Sequence, residues 1–394
     1  MNPAPRFRFD PGLAVTLVIA VIAGGVVVHY TAKKIPNRAV GGVASQLAGD
    51  TPVEENPLQT IRATGDVRGV GWGADGQTLF VGDRDTLSVV EVSTGKVLRS
   101  FDTDETGVRS LAVSPGGTAV AVSLTYTGEI RLYDAGGADK AKPVATLRTG
   151  SDADTNALVW AADGNTLASG GADKTARVWN AGATGTGGSA AGAVLDTTKN
   201  SGVGGRLLQR ALKTGDAIGA LAFLDGDKRV VIGAGPKATI YSAADGKPGQ
   251  TFYAGKGSVT ALAASPDGKT LAVGTSDGAL VLFETATGRK IADAGLDAKG
   301  DSRRHHGAAR PRGVALPTTA VGAAVSAVAF TGDGESVIGA WRKGLIIACD
   351  PATGVPTRIW AQEEPSEALS LALSPDGGRF AAGYADGSVR VWKR

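Results

Sequence analysis

The chain of 394 residues has one cysteine, one methionine, three histidines and an aromatic share of only 5%. The single thiol, Cys349, excludes an internal disulfide and a cysteine-built metal cage. His29, His305 and His306 are too few for a histidine-rich metal site, and no Cys-x-x-Cys-His is present to attach haem. There is no Gly-x-Ser-x-Gly elbow, no phosphate-binding Gly-Lys-Ser/Thr loop and no His-Glu-x-x-His. Charge is nearly balanced, with 41 basic against 38 acidic side chains, which argues against a general polyanion binder. The residues therefore predict no catalytic centre, no metal, no cofactor, no nucleic acid and no small-molecule substrate.

What is abundant is glycine, 58 residues of it, and one short phrase that recurs. Its fullest copies are 259–274 (VTALAASPDGKTLAVG) and 368–383 (ALSLALSPDGGRFAAG), with weaker ones from Val67, Val108, Asn156, Ile218 and Val325. Each copy is two apolar runs joined by a polar turn: Asp75-Gly76, Gly116-Gly117, Asp163-Gly164, Asp225-Gly226, Asp267-Gly268, Asp333-Gly334 and Asp376-Gly377. Glycine accepts positive φ and aspartate bonds its own backbone, so each copy predicts a β-hairpin. Runs such as Leu221-Ala-Phe223 and Val230-Val-Ile232 are apolar without a gap, the pattern of strands buried on both faces. A third strand follows with a fixed rhythm: 129–134 (EIRLYD), 175–180 (TARVWN), 279–284 (ALVLFE) and 388–393 (SVRVWK). Four strands per unit at a period of roughly 40–50 residues predict an all-β propeller of stacked antiparallel sheets.

With these motifs in view, residues 58–394 resemble a WD-repeat β-propeller, expected to have seven blades. The dipeptide that names the family survives only as Trp179-Asn180, Tyr133-Asp134, Phe283-Glu284 and Cys349-Asp350, and the Gly-His pair is absent. Asp173, Asp277 and Asp386 remain before the third strand and are expected to cap turn amides. The family closes its ring with the chain's two ends. Here the last copy stops at Arg394 after three strands, and Leu58-Gln-Thr-Ile61 stands unpaired at the start. The resemblance implies protein partners and a docking role. The alternative is a periplasmic small-ligand or enzymatic propeller, similar to quinoprotein or lactonase types.

Ahead of the repeats, Pro11–Ala32 carries no charge, and Leu13 to Val28 is almost wholly apolar. A membrane helix needs about 20 such residues, more than the roughly 7–15 of a cleaved signal's core. Tyr30 stands where an interfacial aromatic belongs, and Lys33 and Lys34 follow. The expectation is a tail of residues 1–10, an uncleaved transmembrane helix over 11–32 and a solvated linker over 33–57. The Ala/Gly-rich composition suggests a bacterial inner-membrane protein with its propeller in the periplasm, a subunit of a membrane complex.

Two insertions interrupt the even spacing. Residues 181–205 are rich in Gly, Ala and Thr, and fall between the third and fourth strands of blade three. Residues 295–322 fall before blade six and hold Lys299, Arg303, Arg304, Arg310 and Arg312 against Asp297 and Asp301. Propeller geometry puts the first on the face where the linker enters and the second on the opposite face. The four arginines, with Trp341 and Arg342 in a loop between second and third strands, are the candidate partner-binding residues. Glu363-Glu364 reads as a solvated turn and Cys349 as a buried, inert thiol.

Overall fold

Turn chemistry decides where the chain reverses. Gly76, Gly117, Gly164, Gly268, Gly334 and Gly377 all sit at φ between +62° and +73°, and in blade four Asp225 itself takes φ +53°. A computed structural model describes residues 13–22, 25–34, 53–54, 56–104, 106–181, 193–196, 208–225, 228–294, 322–361 and 366–394. Within Asp50–Arg394 the strands form seven antiparallel sheets of four, two of which carry a fifth strand. The architecture is an all-β, seven-bladed propeller, as the repeats predict.

Each blade runs first to fourth strand in sequence order; blade four, for example, is Ile218–Leu224, Arg229–Ala234, Lys237–Ser242 and Pro248–Tyr253. The first strand of every blade packs against the first strand of the next all round the ring, so these strands line the axis. Space there is narrow: a Cβ on Gly69 would lie 2.4 Å from the Cβ of Leu111. The second and third strands are buried almost throughout, and the cores lie between neighbouring blades. Phe380, for instance, meets Trp360 edge-on and stacks on Trp392, with ring centroids 4.7 and 6.4 Å away.

The ring closes with the chain's two ends. Gln59–Arg62 pairs antiparallel with Ser388–Val391 as the fourth strand of blade seven, and Leu58 N donates to Val391 O at 2.7 Å. Most of the linker expected over 33–57 lies outside the described residues, but two residues near its end are paired. Val53–Glu54 pairs in parallel with Ile359 and Trp360 on the outer edge of blade six. Residues Ala193–Asp196 of the first insertion do the same to Ala145–Arg148, the outer strand of blade two. Phe101 on blade one meets Ala141 in a parallel bridge. In each case the segment leading into one blade's fourth strand covers the outer strand of the preceding blade, which shields an exposed edge.

The remaining described residues form a separate unit. There Leu13–Ile22 pairs antiparallel with Gly25–Lys34, with Leu13 opposite Lys34 and Ile22 opposite Gly25. The helix expected over 11–32 is not shown, and Leu13, Val28 and Tyr30 lie on strands. The physical reason is composition: Val, Ile and Thr make up six of the ten residues of the first run, and Val26-Val-Val28 with Tyr30 and Thr31 favours a strand in the second. No helix among the described residues is long and apolar enough to cross a membrane.

Candidate docking site at the mouth of the channel

Strand order assigns every loop to one of two faces. Turns joining first to second strands, and connections joining third to fourth, share the face where Val53–Leu58 enters the ring. Turns joining second to third strands, and connections from one blade to the next, share the other. The roots of the basic insertion, Ala294 and Gly322, lie on this second face; Arg303, Arg304, Arg310 and Arg312 themselves lie outside the described residues, as do Glu363 and Glu364.

On the second face, arginines gather where the axial strands begin. Arg68 and Arg109 hold equivalent places, each directly after the valine (Val67, Val108) that opens its blade. Arg68 Nε donates to Asp66 Oδ2 at 2.7 Å, and Arg84 Nε stands 3.4 Å from the other oxygen of that carboxylate. Arg109 Nη2 donates to Asn156 Oδ1 at 2.9 Å, and Asn156 Nδ2 passes the chain on to Ile218 O at 3.1 Å. Arg109 Nε lies 3.6 Å from Asp154 Oδ2 and is buried with no hydrogen-bond acceptor. Asp154 uses its other oxygen to accept from Tyr126 N at 2.8 Å. That bond holds Tyr126 at φ +57° with 81% of its surface exposed. Arg342, in the turn between second and third strands of blade six, stands 3.8 Å from Glu367 with more than half its side chain in solvent.

These charges feel one another. Burial pulls the Arg109 guanidinium below its ordinary pKa; the like charges of Arg68 and Arg342 pull the same way, while Asp154 and Tyr126 act against them. Arginine stays protonated regardless, so the consequence is a rim whose cations are crowded and receptive to anions. At the opposite mouth a cavity of about 590 Å³ is lined by Trp160, Leu221, Phe223 and Leu262.

Trp341 leaves the set of candidates. It ends a second strand, Val337–Trp341, is fully buried, and donates its Nε1 to Gly278 O of the neighbouring blade at 3.0 Å. A buried donor needs an acceptor, and the adjacent turn supplies one, so the indole serves packing rather than a partner. Arg342 keeps its exposed place beside it. Cys349 is fully buried with its Sγ 3.3 Å from Ala294 O, and burial pushes the thiol up to about 12. Asp173 and Asp386 accept from turn amides, Thr175 N at 3.0 Å and Ser388 N at 2.9 Å. They also hold Arg177 at 2.6 Å and Arg390 at 2.9 Å. Asp277 accepts from Gly257 N at 3.1 Å. Within blade three, Trp179 Nε1 donates to Ser169 Oγ at 2.8 Å, a buried bond that ties third strand to second.

Sequence reasoning missed Arg68, Arg84, Arg109 and Tyr126. The signal was available in superposed copies: the residue after each copy's opening valine, threonine, isoleucine or alanine varies from arginine to asparagine, glycine, threonine, serine and leucine (Arg68, Arg109, Asn156, Gly219, Thr260, Ser326, Leu369).

Comparison with known families matches three stretches, 141–180, 246–284 and 358–393, to the WD domain, G-beta repeat. Each match starts at or near one blade's fourth strand and ends with the next blade's third, the same offset by which the ring is closed. A search of curated proteins finds no match. WD repeats arranged as a seven-bladed propeller generally serve as scaffolds for protein–protein interaction.

Proposed function

We propose that this chain is a docking subunit of a bacterial membrane complex, its propeller held at the membrane by residues 11–32 and lying in the periplasm. The observation that carries the docking reading is the closed ring of WD-type blades presenting a rim of arginines, three of them loosely paired. Rigid strands hold those side chains in place, so little ordering is required when a partner arrives. The anchor rests on the uncharged run from Pro11 to Ala32 with Tyr30, Lys33 and Lys34 at its end. A two-stranded hairpin has two open edges, and hydrocarbon offers its amides no partners; in a bilayer a single helix over the same residues satisfies its backbone groups internally. Confinement to one membrane surface raises the effective concentration of any partner in that membrane.

One experiment tests both halves. Membranes are washed with alkaline carbonate and then cross-linked, with alkaline phosphatase fused after Arg394. The proposal expects an active phosphatase, retention in the pellet until detergent is added, and cross-linked polypeptides. An inactive fusion overturns the periplasmic placement, carbonate release overturns the anchor, and an uncross-linked chain overturns docking.

A small-ligand propeller is the second reading, favoured by the cavity of about 590 Å³ beside Trp160, Phe223 and Leu262. Its volume lies within the roughly 300–1,000 Å³ of ordinary ligand pockets.

A further inference from the structure

The arginines of this face fall into two kinds. Those on third strands are locked: Arg131 meets Asp104 at 2.8 Å, Arg177 meets Asp173 at 2.6 Å and Arg390 meets Asp386 at 2.9 Å. Around the mouth Arg68 is held by Asp66 at 2.7 Å, but the other three stand off from their carboxylates. Arg84 is 3.4 Å from Asp66, Arg109 is 3.6 Å from Asp154 and Arg342 is 3.8 Å from Glu367. Asp66 Oδ1 and Arg109 Nε are both buried without a hydrogen bond. A guanidinium carries five donors in a fixed fork that suits a carboxylate two oxygens at a time. At the mouth most of those donors are left over, and Tyr126 stands exposed beside them as an apolar and hydrogen-bonding platform.

We infer that the mouth receives a carboxylate-rich segment of a partner protein, whose acidic side chains take the donors of Arg84, Arg109 and Arg342 while an apolar side chain covers Tyr126. The segment is extended and acidic, because the cations are spread around a rim rather than gathered in one pocket. Single-stranded nucleic acid fits less well, since Tyr126 is the one large aromatic exposed among these arginines in the described residues. The inference rests on the docking reading and names the chemistry of the partner at that same site.

The test uses the full chain in detergent and a fluorescein-labelled peptide of alternating glutamate and tyrosine, followed by anisotropy at low salt. Arg84→Gln and Arg342→Gln are the chief variants, because both side chains are largely in solvent and the fold does not depend on them. Each is expected to weaken binding about three- to tenfold, and raised salt to weaken it further. Glu367→Gln is expected to tighten binding, because it frees Arg342 from its resident carboxylate. Arg109→Gln is read only alongside its melting temperature. The inference is overturned if the peptide does not bind, if a lysine–tyrosine peptide binds as well, if the arginine variants are neutral, or if oligo-uridine binds more tightly. Should any of these occur while membrane polypeptides still cross-link to the chain, the docking reading survives and the acidic partner does not.

Discussion

A single side chain illustrates how local composition misleads and packing corrects. Trp341-Arg342-Lys343 reads as an exposed hot spot, yet the chain splits the tripeptide at a strand end. Trp341 enters the seam between blades five and six, while Arg342 turns out to solvent. The indole does two things there: it fills the seam, and its N–H satisfies the carbonyl of Gly278. Removing each in turn separates them. Trp341→Phe keeps most of the volume and leaves that carbonyl without its partner, an expected loss of about 1–3 kcal/mol. Trp341→Ala adds a cavity and is expected to cost about 3–5 kcal/mol. Urea unfolding of the two variants checks the order; equal and negligible losses would mean that the tryptophan does not seal the seam. Cys349 supplies a built-in reporter for the same experiment, since a fully buried thiol reacts with a maleimide only as the blades open.

At the scale of elements, the hairpin turns couple stability to acid. Asp333 accepts from Thr331 Oγ1, Glu335 N and Arg394, which hold its carboxyl down at about 2. Asp267 and Asp376 are lowered in the same way by Ser265 and Ser374 and by the amides of Lys269 and Gly378. At Asp75 and Asp163 burial works against this, but the turn amides of Gln77, Thr78, Asn165 and Thr166 outweigh it. A carboxyl with a lower pKa in the folded chain binds protons more readily when unfolded. Its contribution is therefore complete above about pH 4 and disappears as pH falls toward about 2. Melting temperature is expected to hold level from pH 7 to 5 and drop steeply below pH 4. Asp333→Asn is expected to flatten the drop, and a variant that keeps the full acid slope would show that this turn is not a source of it.

The same turns explain what could be read in advance. Asp-Gly chemistry and alternation are local properties, so the seven hairpins, the buried thiol and the closing strand were legible from residues alone. The strands Val53–Glu54 and Ala193–Asp196 were not, because two or four residues without a pattern pair only where a neighbouring blade offers an edge. The arginine rim was hidden for a related reason. Arg68 and Arg109 lie 41 positions apart, and only stacking of blades one and two sets them side by side. The apolar run at the start shows the opposite limit, since its β-branched residues suit a hairpin in water and a helix in lipid, and composition alone does not choose between them.

For the molecule as a whole, closure is the property on which the rim depends. Six blades are built from continuous stretches of chain, but blade seven borrows its fourth strand from residues more than three hundred positions away. Ile61 on that strand is buried against Val389 and Val391, in one core with Val70 and Leu79 of blade one. The seam therefore joins blade seven to blade one as well as to itself, and its loss frees both. A chain beginning at Asp50 keeps both Val53–Glu54 and Gln59–Arg62 and is expected to unfold in one cooperative transition. A chain beginning at Ala63 loses them, exposes the edge of Ser388–Lys393, and gives up a buried isoleucine together with a ladder of hydrogen bonds. Its melting temperature is expected to fall by at least about 5 °C. A synthetic peptide of residues 50–62 added in excess should recover part of that loss, because the missing strand has a preformed slot to enter. Melting curves of the two chains, with and without the peptide, decide the matter. Identical curves would mean that the seam contributes nothing, and that the first and last blades hold their places on the rim by other contacts.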